Sequence, residues 1–362
     1  GLVALSCDSR TERTSRSQQA QPAAPPRTLA MRKTTPTTRE TTPPTVVRGN
    51  LDNRIRVRRR RFEAGKATHR DMGTLAVELL RRAQFFGMVS DYGRAVIVTD
   101  RLVELDPSKD SLLLRARARA AVHDWQEAQL SLEAARSAGA DTGETVDLEA
   151  DLATARGHRD KALALRQTQA SRRPNTTTLG ALAVSLASIG DIDGAELRFD
   201  AARRAYADAS PLPLVWLLFQ NGVMWEGAGN PDKAAALYRK ALERLPLYAA
   251  AAGRLAEHHA RSGDIEAAIA LLEPVIESSD DPAYLAQLGR LLRWRGAVAD
   301  GDTLVERARA GYERLLVAHP AAFAEQAIVF FLGPGRDPMR AMQLAADSSG
   351  HGHSHGHSHG HH

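Results

Sequence analysis

The sequence predicts an all-α protein, a superhelical solenoid of about eight helix-turn-helix repeats over residues 72–347. One alanine recurs with gaps of 33, 34, 33, 39, 34, 40 and 33 residues, at Ala95, Ala128, Ala162, Ala195, Ala234, Ala268, Ala308 and Ala341. Glycine precedes four of these alanines by five residues, at Gly157, Gly190, Gly229 and Gly263. Proline follows four second helices, at Pro107, Pro174, Pro246 and Pro320. Small residues let helices approach closely, while glycine and proline end them, so the three series together predict stacked helix hairpins.

Residues 1–62 precede the repeats and are expected to be a truncated signal sequence followed by a disordered, basic linker. They hold 14 Lys and Arg against 4 Asp and Glu, and residues 8–50 have almost no apolar periodicity. The opening GLVALSC resembles the end of a bacterial lipoprotein signal peptide, in which Leu5 and Ser6 fit and Ala4 departs from the preferred leucine. This resemblance implies a lipidated Cys7, and the alternative is an ordinary free thiol.

The basic run RIRVRRRR at residues 54–61 is predicted to attract anionic lipid headgroups at a membrane surface. A nuclear-import signal, a nucleic-acid contact and a solvated linker are the alternatives. The chain after residue 62 holds 34 basic against 39 acidic residues, so the basic character belongs to the leader. No nucleic-acid binding is therefore expected of the repeats.

Repeats 1 to 4 follow the same plan with local departures. Asp91 is expected to cap the second helix of repeat 1, and Trp125 is expected to fill the core of repeat 2. Repeat 3 is the weakest, because Arg166 stands where an aromatic side chain is preferred. Repeat 4 restores the pattern with Gly190 and Phe199.

Repeats 5 to 8 contain the clearest copy of the unit and both insertions. The stretch ADASPLPL before repeat 5 is expected to break the helix at Pro211 and Pro213. A second insertion, residues 296–303, is expected to lengthen the turn inside repeat 7. Residues 348–362 contain only Gly, Ser and His and are predicted to be a disordered tail.

Residues 215–246 carry a family pattern. In chain order they place Leu218, Gly222, Trp225, Ala234, Tyr238, Ala241 and Pro246 at the spacing of the 34-residue helix-turn-helix motif W-x2-L-G-x2-Y, A-x3-F, P. The chain therefore resembles the tetratricopeptide repeat family. The resemblance implies a right-handed solenoid whose first helices line a concave groove for segments of partner proteins.

Carrying the family's groove positions onto this sequence implies a partner-binding set in the later repeats: Trp216, Phe219, Val223, Tyr284, Gln287, Arg290, Arg293, Trp294, Phe323 and Gln326. Repeats 2 to 4 offer small or acidic residues there, including Asp110, Glu144, Asp147 and Asp151, so the groove is expected to be acidic early and aromatic and basic late. The alternative for Trp216 and Trp294 is packing between repeats. The family's Lys and Asn clamp for a C-terminal carboxylate is missing, which disfavours an Hsp90-type co-chaperone role.

Catalysis is not expected, because the sequence has no G-x-S-x-G, no phosphate-binding glycine loop, no H-E-x-x-H and no Cys/His zinc spacing. The tail offers the candidate metal ligands, at His351, His353, His355, His357, His359, His361 and His362. Imidazole binds Ni, Zn and Cu, and the tail resembles histidine-rich stretches of metal transporters and their chaperones, although an affinity tag would look similar. No cofactor is required by the repeats.

The predicted function is a protein–protein interaction scaffold of the bacterial cell envelope, anchored to the membrane as a periplasmic lipoprotein through Cys7 and the basic run. The alternative function is metal handling through the histidine tail, and the alternative location is the cytoplasm. A chain with no run of 18 apolar residues provides no membrane-spanning helix of its own.

Overall fold

A computed structural model describes residues 41–352, and all regular structure in that range is helical. The helices are α1 (Pro44–Glu63), α2 (His69–Phe86), α3 (Ser90–Leu105), α4 (Lys109–Ala121), α5 (Trp125–Ser137), α6 (Thr142–Ala155), α7 (Arg159–Arg172), α8 (Thr176–Ser188), α9 (Ile192–Arg204), α10 (Leu212–Gly227), α11 (Pro231–Arg244), α12 (Ala249–Arg261), α13 (Ile265–Ser278), α14 (Pro282–Arg295), α15 (Val298–Ala318), α16 (Pro320–Leu332) and α17 (Pro338–Gly352).

The helices from α2 to α17 form eight consecutive hairpins, α2 with α3 through α16 with α17. Each helix packs against its hairpin partner and then against the next hairpin, which is the architecture of a solenoid. The all-α solenoid of eight repeats predicted from the sequence is confirmed. The predicted start at residue 72 falls in the first turn of α2.

The turn inside each hairpin needs one residue in the left-handed region of backbone space. In repeat 5 this residue is Gly229, with φ 77°, and Asn230 then caps α11 by accepting a hydrogen bond from the Lys233 amide. Repeat 2 places His123 in the equivalent turn, with φ 56°. A residue other than glycine is uncommon in this conformation, so His123 distinguishes repeat 2 from its neighbours.

Gly222 and Tyr238, two positions of the repeat pattern in repeat 5, pack against each other in the structure. Gly222 on α10 is buried against the ring of Tyr238 on α11, and a Cβ atom at residue 222 would lie 2.4 Å from Cε1 of that ring. The Tyr238 hydroxyl donates to the Glu226 carboxylate at 2.8 Å. Glycine therefore lets the two helices approach closely enough to bury an aromatic ring between them.

The basic run lies in a folded helix, so the predicted disordered linker is wrong for residues 44–62. Leu51 and Ile55 of α1 are buried against α2, with 2% and 1% of their surface exposed. The guanidinium groups of Arg54 and Arg58 both bind the Glu78 carboxylate on α2, at 2.6 Å and 3.1 Å. Two apolar anchors and ion pairs thus fold a segment whose composition alone indicates disorder.

The predictions for the two insertions and for the start of the tail had different outcomes. The helix break at Pro211 and Pro213 is confirmed, since α9 ends at Arg204 and α10 begins at Leu212. The insertion at 296–303 lengthens α15, a helix of 21 residues, and the prediction of a longer turn is wrong. The α17 helix continues to Gly352, past the predicted start of the tail.

The solenoid curls back on itself, so that repeat 1 touches the loop between repeats 6 and 7. The backbone oxygen of Gly87 accepts hydrogen bonds from Ser279 Oγ at 2.7 Å and from the Asp280 amide at 3.2 Å. Arg48 of α1 donates to the Ser278 carbonyl at 3.0 Å in the same loop. The rings of Phe85 and Tyr248 lie 5.3 Å apart and join the core of repeat 1 to that of repeats 5 and 6.

The N-terminus of α3 is capped from this distant loop. The Asp280 carboxylate accepts hydrogen bonds from the amide of Ser90 at 3.3 Å and from its hydroxyl. Asp91, predicted as the cap, lies one residue inside the helix, where it is fully buried and bound to Arg82 and Arg94. The prediction is wrong because the N-cap position is Val89, two residues before Asp91, and the capping carboxylate comes from 190 residues along the chain.

Candidate partner-binding cavity

A cavity of about 770 Å³ lies inside the curl of the solenoid. The first helices of all eight repeats contribute to its wall, from Ala83 on α2 to Gln326 on α16. Aromatic rings and the polar side chains of Gln84, Gln220 and Ser185 share this wall. The cavity therefore combines apolar surface with hydrogen-bonding groups, as ligand sites in proteins do.

The structure brings half of the predicted groove set into this cavity. The residues that line it are Phe219, Val223, Tyr284, Phe323 and Gln326. They belong to α10, α14 and α16, the first helices of repeats 5, 7 and 8. Phe219 is also a core residue, 5% exposed, with its ring 5.3 Å from that of Tyr248, so it forms the floor of the cavity.

The other predicted residues lie off the cavity wall and have other contacts. Trp216 packs against α8, where a Cβ atom at Gly180 would meet its ring at 3.0 Å. Gln287 donates to the Gly253 carbonyl at 2.9 Å, which ties α14 to α12. Trp294 is 61% exposed. Packing between repeats, the alternative left open for the tryptophans, therefore describes Trp216 and does not describe Trp294.

The predicted polarity of the groove is largely cancelled by ion pairs. Among the late basic residues, Arg290 binds Glu257 and Arg293 binds Asp302, each at 2.6 Å. Early in the chain, Glu144 binds Lys109 at 2.9 Å. Charged side chains that were expected to bind a partner thus form ion pairs within the solenoid.

Asp151 and Arg166 form an ion pair on the cavity wall. Burial raises the pKa of Asp151 to about 6, the Arg166 charge opposes the rise, and Asp147 adds to it. Arg166, predicted as a weak point because it replaces an aromatic residue, is 7% exposed and fills that space with a charge matched by Asp151. The ion pair compensates the buried guanidinium charge that stands where an aromatic side chain is preferred.

Asp281 is a second carboxylate on the wall, at the start of α14. Its Oδ1 atom accepts a hydrogen bond from the Ala283 amide at 2.9 Å and caps the helix. Burial raises its pKa to about 6, the bond from Ala283 partly offsets this, and the neighbouring Asp280 adds to it. Among residues 41–347 no Lys, Arg or His forms an ion pair with Asp281. Sequence reasoning missed this residue, because its spacing marks a helix cap and nothing more.

His123 and Trp125 form a stacked pair on the wall, with ring centroids 5.0 Å apart and planes 19° apart. Trp125, predicted as a core residue, is partly buried: it packs against the core of repeats 2 and 3 and also lines the cavity. The sequence offered one signal, the histidine in place of the turn glycine of repeat 2. Tyr92 also lines the cavity and was missed, since it lies on a second helix.

Some predicted residues lie outside the part of the chain that the structure describes. They are Cys7, the six tail histidines from His353 onward and the side chain of His351. Within residues 41–347, no three His, Cys, Asp or Glu side chains are arranged to hold a metal ion. No helix in the described range has the length and apolar character to cross a membrane. Lipidation of Cys7 and metal binding by the tail stay predictions.

Comparison with known proteins bears on the repeats. Residues 227–291, from the end of α10 into α14, match the family model for the tetratricopeptide repeat. Over these residues the chain is similar to tetratricopeptide repeats. No curated relative matches the chain.

Several solved structures resemble this one at low sequence identity. A human IFIT1 dimer with PPP-AAAA superposes with a TM-score of 0.51 at 14% identity, over 83% of this chain and 78% of that chain. A tetratricopeptide repeat protein from Parabacteroides merdae gives 0.43 at 15%, over 81% and 99%. A chain of the APC/C hetero-tetramer Cut9-Hcn1 gives 0.47 at 16%, over 77% of this chain and 52% of that chain. The chain thus spans about half the length of that last relative, and at these identities the likeness concerns the fold.

Proposed function

We propose that the protein is a non-catalytic scaffold that binds an extended segment of a partner protein in the central cavity. The observation that carries the proposal is the cavity itself, which all eight repeats line and which has apolar and polar wall groups. Its volume of about 770 Å³ lies within the range of about 300–1,000 Å³ typical of ligand sites. A few residues of an extended peptide would occupy such a space.

The wall chemistry suits a peptide better than a purely apolar ligand. Each residue of an extended chain carries an amide donor and a carbonyl acceptor, and both need partners when they leave water. Gln84, Gln220 and Gln326 offer both kinds of group around the cavity. Phe219 and Phe323 offer apolar surface for the side chains.

Position-specific crosslinking tests the proposal. A photoreactive benzoylphenylalanine at position 323, on the cavity wall, should capture the partner in cells, and the same group at position 294, exposed and off the cavity, should not. With the captured partner, Phe323→Ala should weaken binding by about 1–4 kcal/mol, whereas Trp294→Ala should leave affinity unchanged. Equal capture from both positions, or equal affinity of both variants, would contradict binding in the cavity. Circular dichroism checks that Phe323→Ala keeps the wild-type helix content.

A further inference from the structure

The strongest unexplained feature of the cavity is the Asp281 carboxylate. Capping α14 does not require a charge there, because Asn175 and Asn230 cap α8 and α11 with a neutral amide. A partly buried carboxylate loses hydration, and the pKa of Asp281 is raised accordingly. The chain nevertheless places an acid at this point, facing the cavity.

The other charged side chains of the cavity wall already have partners. Asp151 is paired with Arg166, and Arg254 lies 3.5 Å from Glu226. Asp281 has a single hydrogen bond to its carboxylate, from its own helix, and no ion-pair partner among residues 41–347. Its neighbour Asp280 is bound to Ser90 and adds further negative charge near the site. The cavity therefore holds a carboxylate that has no cationic partner among the described residues.

Aromatic rings line the same cavity. Tyr92 and Tyr284 share its wall with Asp281, and the Asp281 charge contributes, after burial, to raising the pKa of both phenols. Phe219 and Phe323 complete the apolar wall. Rings of this kind attract cations over their faces, and they pack well against the methylene stem of a Lys or Arg side chain.

We propose that Asp281, Tyr92 and Tyr284 form a subsite for the Lys or Arg side chain of the bound segment. This subsite rests on the proposed function and specifies that the bound segment carries a positive charge. The ammonium or guanidinium group would donate hydrogen bonds to the carboxylate, and the stem would lie against the rings. A bare divalent metal needs several ligands, and within residues 41–347 no group of three His, Cys, Asp or Glu side chains is arranged to hold one.

The test uses two labelled pentapeptides, Ala-Phe-X-Phe-Ala, with Lys or norleucine at X, titrated into the full chain by fluorescence anisotropy. Norleucine keeps the stem and lacks the charge. The Lys peptide should bind about tenfold to a hundredfold more tightly to the wild type, as expected for a hydrogen-bonded charge. Asp281→Asn preserves the helix cap and should reduce the ratio to about one by weakening only the Lys peptide.

Asp191→Asn is the matched control, because Asp191 caps α9 in the same way and does not line the cavity. It should keep the wild-type ratio. A ratio of one in the wild type, or an unchanged ratio in Asp281→Asn, would overturn the subsite. If the norleucine peptide still binds in those cases, peptide binding in the cavity survives and only the cation subsite fails. Failure of both peptides to bind the wild type also overturns the subsite, and crosslinking from position 323 then decides the proposed function separately.

Discussion

Gly222 and Gly227 lie one and a half turns apart on α10, and their surroundings differ completely. Gly222 is buried, and a Cβ atom there would meet the Tyr238 ring at 2.4 Å and 2.8 Å. Gly227 is exposed, and a Cβ atom there would meet nothing within 4 Å. The same substitution therefore has opposite consequences at the two positions.

Gly222→Ala should lower the free energy of unfolding by about 1–3 kcal/mol, because the methyl group displaces the Tyr238 ring and strains its bond to Glu226. Gly227→Ala should raise it by about 0.5–1 kcal/mol, because alanine loses less backbone entropy in a helix. Urea denaturation of both variants measures the difference. A shift of both in the same direction would show that the Tyr238 contact does not fix the distance between α10 and α11.

Single residues also show where sequence reasoning succeeds and where it stops. Gly222 and Tyr238 could be predicted, since hairpin packing depends on spacing within one repeat. Phe219 and Phe323 were assigned to the groove and do line the cavity, whereas Arg290 was assigned there and binds Glu257. A neighbouring helix chooses that ion-pair partner, and a one-dimensional pattern contains no information about it.

Asp280 shows how one element depends on another far along the chain. The helix α3 has no cap from its own N-cap residue Val89, and the Asp280 carboxylate from the loop before α14 takes that role at Ser90. The same loop binds the Gly87 carbonyl at the end of α2. The turn between α2 and α3 is therefore held by residues from repeats 6 and 7.

Asp280→Ala should lower the free energy of unfolding by about 0.5–2 kcal/mol, the usual range for loss of a helix cap. Amide hydrogen exchange should quicken in the α2–α3 turn, which lies 190 residues away in sequence. Glu277→Ala is the matched control, since Glu277 is exposed, lies at the end of α13 and has no side-chain hydrogen bond or ion pair with the described part of the chain. Unchanged exchange at Ser90 in Asp280→Ala would mean that the loop contact does not stabilise repeat 1.

The elements themselves were largely predictable, and the exceptions have a physical cause. Hairpin helices follow from periodic small and apolar residues, which pack against sequence neighbours. The α1 helix was missed because only Leu51 and Ile55 anchor it, and its arginines find their acids on α2. The extension of α15 was missed because an insertion can add a helical turn as readily as a loop.

For the whole molecule, the remaining proposal is attachment to a membrane of the bacterial cell envelope through a lipidated Cys7. The outer face of α1 would assist, because Arg56 and Arg60 are exposed and have no ion-pair partner among the described residues. Each such charge contributes about 1 kcal/mol near an anionic surface. Lipid and charge together hold a protein at a membrane far better than either does alone.

Cys7→Ser should move the protein from the membrane fraction to the supernatant on ultracentrifugation, since it removes the attachment point of the lipid. The paired substitutions Arg56→Glu and Arg60→Glu should shift only part of the protein, because they leave the lipid in place. Fractionation of Cys7→Ser identical to that of the wild type would contradict the proposal. Urea extraction separates lipid attachment from association through another protein.

The contact between Gly87 and Ser279 has a consequence for how the molecule unfolds. An open array of repeats can fray from either end, because each repeat touches only its neighbours and loses stability one unit at a time. Here repeat 1 is bonded across 192 residues to the loop after repeat 6, so it cannot detach without breaking that loop's contacts as well. His319, between α15 and α16, also packs against Gly93 of α3. Repeat 1 is thus tied both to the loop after repeat 6 and to the start of repeat 8, and we expect the array to melt as one cooperative block.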